Sequence, residues 1–273
     1  MEGTVSDLSR FSLNQATTKR WSMEDTVAGC VAAGVPGIGL WRDQVAELGV
    51  ERTAALVRSA GLDVTTLCRG GFFTADDWLD DNLRAIEEAA TLGAPVLVLV
   101  SGGLPVGSRD IDGARRRVAD AIAELVPHAQ AAGVRLAIEP LHPMFASDRC
   151  VIATLGNALD IAEPFPADAV GVAIDTYHVW WDDQVWAQLA RAGAAGRIAC
   201  FQLADWITPL PEGVLLGRGL PGTGCVELRR FREAVDATGY RGPIEVEVFH
   251  EGVWSRPGAE VLDEAIRGYL ELF

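Results

Sequence analysis

At 273 residues the chain has room for one large domain or two small ones, and a single barrel of about 250 residues is a common solution at that length. Thirty-eight acidic against 23 basic side chains leave a formal charge of -15, which repels nucleic acid and anionic membrane surfaces and excludes both as expected partners. No apolar run approaches the ~20 residues that a membrane-spanning helix needs.

Short apolar runs alternate eight times with longer amphipathic ones. Strands are expected at 11–14, 37–41, 64–68, 96–100, 135–138, 170–174, 198–202 and 244–248, with helices between them, for example over 76–92 and 110–132. Acidic residues open several helices, where the dipole favours them, and Gly34, Gly61, Gly93, Gly133 and Gly239 stop helices before the next strand. Eight such units without a proline-rich or serine-rich linker predict one closed (β/α)8 TIM barrel spanning 1–273, not an open doubly wound sheet.

Four of the expected strands end on oxygen donors: Glu139 after Leu136-Ala137-Ile138, Asp175 after Val172-Ala173-Ile174, Gln202 after Cys200-Phe201, and Glu247 after Ile244-Glu245-Val246. The active site of such a barrel lies at the carboxyl ends of its strands, so these four share one mouth. Side chains alternate with period two, which puts Ala137, Ala173 and Cys200 beneath them. A hard divalent cation needs several converging oxygens, and Glu139, Asp175, Gln202 and Glu247 supply them. Three carboxylates on a dication leave excess negative charge, so Glu139 or Glu247 is free to act as a base as well. Glu245 lies one step deeper on the face of Glu247, and a cation such as Arg135 is expected to hold it.

Other residues at the mouth invite a substrate. His142 lies in the loop after the fifth strand, and Arg218 precedes a Pro-Gly-Thr-Gly turn that fixes its approach. Trp41, Tyr177, Trp180, Trp181, Trp206 and Trp254 fall near strand ends, and a ring of indoles suits the apolar faces of sugars or an aromatic aglycone; Trp41 and Trp206 are the foremost of them. His128 is expected to be structural, and His250 adjoins Glu247. Only one lysine, Lys19, occurs, and Ser101-Gly102-Gly103 is a weak glycine-rich loop, so no dedicated phosphate site is expected. The five cysteines, Cys30, Cys68, Cys150, Cys200 and Cys225, form no metal or redox motif and read as reduced thiols. The polar, acidic start lacks the pattern of a signal peptide, and a cytoplasmic protein is expected.

Taken in order, Glu139-Pro140-Leu141, Asp175-Thr176-Tyr177-His178, Gln202-Leu203-Ala204-Asp205, Arg218-Gly219-Leu220-Pro221-Gly222-Thr223-Gly224 and Glu247-Val248-Phe249 resemble the successive motifs of the sugar phosphate isomerase/epimerase family, which has the xylose isomerase-like TIM barrel. The resemblance covers nearly the whole chain from about Leu8. It implies that Glu139 and Glu247 bind a metal and shuttle a proton, that Asp175 completes the site, and that His178 and Arg218 contact substrate oxygens. It also implies a homodimer or larger oligomer. The third ligand of the family is usually a histidine in an H-x-x-D motif, and Gln202 stands there instead, as in the 3-dehydroshikimate dehydratase branch. An all-oxygen set favours Mn2+, with Mg2+ or Co2+ as alternatives, over zinc.

The expected activity is therefore that of a divalent-metal-dependent isomerase or epimerase acting on a small sugar, keto-sugar or cyclitol by proton abstraction beside a carbonyl. A lyase using the same enolate, a dehydratase or a 3-keto-glycoside β-eliminating enzyme, stands beside it, because the residues specify the enolate and not its exit. DNA-repair endonucleases built on this barrel need a histidine-rich zinc cluster, which four histidines and the acidic charge do not suit. A non-catalytic homologue would lack bound metal.

Overall fold

In the computed structural model, which describes residues 7–211 and 213–272, eight parallel strands close into a barrel. They are β1 (Phe11–Asn14), β2 (Gly37–Trp41), β3 (Asp63–Gly71), β4 (Val96–Val100), β5 (Arg135–Ile138), β6 (Val170–Asp175), β7 (Ile198–Leu203) and β10 (Ile244–Val246). A two-stranded antiparallel ribbon, β8 (Asp205–Trp206) with β9 (Arg218–Gly219), rises between β7 and β10 in the sequence. Of the polar start, residues 1–10, where no signal peptide is expected, residues 1–6 lie outside the described residues.

The strands are buried on both faces, as parallel strands under a ring of helices must be, and so read as near-continuous apolar runs. In β4, Leu97 and Leu99 join the large core between barrel and helices, while Val96 and Val98 point into the barrel. There they meet Ala137, Ala173, Cys200 and Cys68 in a small inner cluster. The fine parity of each strand thus decides which residues fill the barrel and which pack helices.

Helix ends follow the local chemistry. Ser22 and Asp25 form a reciprocal capping box at the start of Met23–Ala33. Asp110, expected inside a helix, instead caps Ile111–Ala132 through the Gly113 N–H, and Gly133 closes that helix at φ 69°. Several strand bounds also differ from expectation, two of them by more than one residue. β3 runs on to Gly71, and β10 ends at Val246, so that Glu247 and Val248 belong to the mouth. Cys30, Cys68, Cys150 and Cys200 are buried thiols and Cys225 is an exposed one. Among the described residues no helix is long and apolar enough to cross a membrane.

Candidate functional site

Strand register brings the four oxygen donors together. Asp175 of β6 pairs with Gln202 of β7, and Gln202 in turn pairs with Glu245 of β10. Glu139 and Glu247 sit just past their strands, their N–H groups still bonded to Leu99 and Leu203 across the ladder. All four side chains are buried. Ligand-type atoms of Glu139, Asp175 and His178 lie within 4.8 Å of one another, and those of Cys68, Glu245 and Glu247 form a second such group.

Burying like charges together is costly, and the carboxyls respond. Glu139 is pushed well above the usual carboxylate range, by burial first and then by the charges of Glu247 and Asp175. Burial raises Asp175 as well, against the pull of Arg218. Burial takes Glu247 to about 7, again with Arg218 opposing. Arg218 is the counter-charge: Nη1 donates to Asp175 Oδ2 at 2.7 Å, to Glu247 Oε2 at 2.8 Å and to the Glu247 carbonyl at 3.2 Å. Its guanidinium lies 5.1 Å from the centre of the Tyr177 ring and 5.0 Å from that of Phe249. The ribbon delivers it there, since Arg218 pairs with Trp206 across β8 and β9.

Asp205 holds that delivery in place. Its carboxylate accepts backbone N–H groups from Trp206, Gly222, Gly224 and Val226 at 2.8–3.1 Å, pinning the Pro-Gly-Thr-Gly turn that follows Arg218. The two motifs, far apart in the chain, are one device.

His178 sits under the same roof. The His142 N–H donates to its Nδ1 at 3.1 Å, and burial, then Arg218, depresses its pKa well below the usual value. A neutral ring that accepts at Nδ1 carries its proton on Nε2, which faces Arg218 Nη2 at 3.0 Å. Two donors therefore face each other across the floor of the cavity.

Glu245 corrects the sequence expectation. Arg135 does not hold it, because the Arg135 guanidinium donates to the carbonyls of Ile198 and Gly196 at the opposite end of β7. Neutral donors surround Glu245 instead: Asn14 Nδ2 at 2.7 Å, Thr65 Oγ1 at 2.7 Å, Thr66 Oγ1 at 2.9 Å and Gln202 Nε2 at 2.9 Å. Gly39 makes the room, for a Cβ there would lie 2.5 Å from the Glu245 carboxyl. The bond to Glu245 fixes the Gln202 amide and commits its nitrogen. Gln202 Oε1 is left buried with no hydrogen-bond partner, a costly state for a carbonyl oxygen unless a ligand takes it.

A cavity of about 310 Å³ opens above these groups, lined by Glu139, Glu247, His178, Arg218, Trp41 and Phe249 among others. Trp41 donates its Nε1–H to Asn14 Oδ1 at 2.8 Å, so its indole is tied to the Glu245 network. Trp206 lies elsewhere. It is buried behind the wall, its ring stacked 4.8 Å from Tyr177 and 5.1 Å from His142, and Trp180 packs on it at 5.4 Å. His142 is half-buried outside the cavity lining, with Nδ1 accepting the Met144 N–H. The expected ring of indoles is thus divided: Tyr177, Trp180, Trp181 and Trp206 pack in one cluster with His142, Trp254 packs on Phe249, and Trp41 is the tryptophan that lines the cavity. His128 is exposed on its helix, and His250 caps the turn Glu251–Trp254 through the Val253 N–H.

Asn14, Thr65, Thr66, Arg69, Arg149 and Phe249 belong to the site or its supports and were not singled out from sequence. Asn14 carried a signal, being a polar residue at the end of an apolar strand like the four donors.

The sequence model of the family described as the xylose isomerase-like TIM barrel matches residues 27–272. An inosose isomerase from Halalkalibacterium halodurans is 26% identical over 154 residues, which are 55% of this chain and 52% of that protein, so the chain spans about half the length of the curated relative it matches. A crystal structure of a protein from Sinorhizobium meliloti 1021 superposes with a TM-score of 0.93 at 47% identity, covering 96% of this chain and 98% of that one. The crystal structure of the IolI protein with a bound zinc atom superposes with a TM-score of 0.83 at 20% identity, over 96% and 97% of the two chains, a likeness of fold.

Proposed function

The chain belongs to the xylose isomerase-like TIM barrel family, and on that premise we propose that it is a divalent-metal-dependent isomerase or epimerase of a small sugar, keto-sugar or cyclitol. The observation that carries this reading is the buried, unpartnered Gln202 Oε1, on a residue that pairs across the ladder with Asp175, in a mouth where Glu139, Asp175 and Glu247 are buried around the single counter-charge of Arg218. Glu139, Asp175, Gln202 and Glu247 would hold the ion, Mn2+ by the all-oxygen donor set with Mg2+ or Co2+ fitting the same set, and it would supply Lewis-acid stabilisation of a carbonyl beside the carbon that loses its proton.

The chain's own groups do the rest. Glu139 and Glu247 take and return the proton; burial raises both above the usual carboxylate range, Glu247 to about 7, which suits it to act near neutrality. An oxygen of the substrate is the natural acceptor for the facing donors His178 Nε2 and Arg218 Nη2. Trp41 and Phe249 offer apolar faces to a sugar ring. Return of the proton to the neighbouring carbon gives an isomer, and return to the opposite face gives an epimer. Gln202 in place of the usual histidine favours a second reading, a lyase in which the same enolate expels a β-oxygen.

Incubation of the Mn2+-loaded protein in D2O with ketoses, inososes and 3-keto-glycosides, both neutral and acid-bearing, separates these outcomes. An isomerase or epimerase gains deuterium into substrate or product without loss of water, whereas a lyase releases water or an aglycone. Absence of exchange and turnover across the panel would overturn both readings.

A further inference from the structure

The carboxylate floor of the cavity lies beneath three cations that neither hold the ion nor move the proton. Arg69, at the end of β3, Arg149, in the loop after β5, and Lys19, in the loop after β1, all line the same cavity as Glu139 and Glu247. Neighbouring Arg42 shows the ordinary fate of a cation in a chain this acidic: it is paired with Asp81 at 3.0 Å and Glu88 at 2.5 Å. Among the described residues Arg69, Arg149 and Lys19 have no carboxylate within ion-pair distance, and Asp43 is the acid that shares the rim with them. The Arg69 guanidinium carbon lies 3.8 Å from the centre of the Phe72 ring, a contact that restrains it, and Lys19 Nζ lies 4.3 Å from the centre of the Trp254 ring. Burial first, and then the charge of Arg149, lowers the pKa of Arg69 from its ordinary value, a cost that a bound anion offsets.

We propose that Arg69 and Arg149, with Lys19 on the rim, bind an anionic substituent of the substrate, a carboxylate or a phosphate, while the neutral part of the molecule reaches the acids below. The inference rests on reading this cavity as the substrate site. It narrows the substrate from sugars and cyclitols in general to those bearing an acid group. Counting lysines alone missed this feature, since both principal cations are arginines, whose planar forks suit carboxylate and phosphate oxygens.

The test is a calorimetric titration of the Mn2+-loaded protein with inorganic phosphate and, separately, with succinate, on the wild type and on Arg69→Gln and Arg149→Gln made singly. Manganese affinity of each variant, followed by electron paramagnetic resonance, controls for damage to the floor. The expected result is saturable binding of at least one anion, weakened at least tenfold in each folded variant whose manganese affinity is retained; two separate variants leave one to decide if the other fails to fold. Binding of phosphate alone points to an ester and of succinate alone to an acid, and both together support the shared anion site. No saturable binding, or equal affinity in wild type and variants, overturns the proposal. Deuterium exchange into neutral inososes would survive that outcome, so failure here is distinguishable from failure of the proposed activity.

Discussion

Glu247 meets Arg218 with one carboxylate oxygen and the Cys68 thiol, at 3.9 Å, with the other, so its replacement by an amide of the same shape removes charge without opening a hole. Glu247→Gln is expected to lower turnover by at least ~100-fold, the usual worth of a positioned acid or base, and to weaken Mn2+ binding. Deuterium exchange and a manganese titration check the two effects, and near-normal turnover would defeat the mechanism. Glu245 acts one layer down. Its carboxyl oxygens accept from four neutral donors, Gln202 Nε2 among them, so Gln202 presents nitrogen to it and oxygen elsewhere. Glu245→Gln introduces a donor at that point and releases the constraint on the Gln202 amide. Manganese affinity should fall about 10- to 100-fold, as when groups that orient metal ligands are changed, with a lowered Tm. Unchanged values of both would show that Gln202 needs no such orientation.

On the scale of the elements, the ribbon β8–β9 and the turn behind it form a bracket for Arg218, and Asp205 is its pin. Asp205→Ala strips acceptors from the N–H groups of Gly222, Gly224 and Val226, at a cost of about 2–4 kcal/mol in stability. Because Glu139, Gln202 and Glu247 stand on other elements, Mn2+ affinity should persist while kcat falls at least tenfold. Parallel loss of metal and activity would mean that the bracket also shapes the metal layer. The elements themselves were legible because their signals are local: the periodicity of Val96–Val100 and the αL glycine after Ala132 lie within a few residues of what they decide. The partners of Glu245 were not. Asn14 is 231 positions from it and Thr65 is 180, and charge complementarity alone suggested Arg135. A closed barrel brings β1, β3 and β7 around the same acid, and neutral hydroxyls and amides serve a buried carboxylate as well as a cation does when several converge. Trp206 and Trp41 likewise look alike in sequence, each near a strand end, and only packing sends one into the aromatic stack and the other to the cavity.

For the molecule as a whole, the buried acids couple the fold to protons and to metal. A carboxyl that holds its proton more tightly when folded than when unfolded contributes stability that is fully present below its ordinary pKa. That contribution disappears as pH rises through the folded value. For Glu247 the window runs from the ordinary 4.5 to about 7, and Glu139, pushed well above the same starting point, extends the loss upward. The metal-free protein is therefore expected to lose Tm steadily as pH rises from the ordinary carboxylate range through about 7, as Glu247 and then the other buried carboxyls become charged against one another. A divalent ion reverses the sign of the cost, because the same charged carboxylates are what it binds. Thermal melts in EDTA and in Mn2+ across that range should diverge, with the stabilisation by Mn2+ growing as pH rises. A pH-independent gap, or none, would mean that the acids at the barrel mouth are not its ligands, since any site built from carboxylates with raised pKa must release protons when the ion enters.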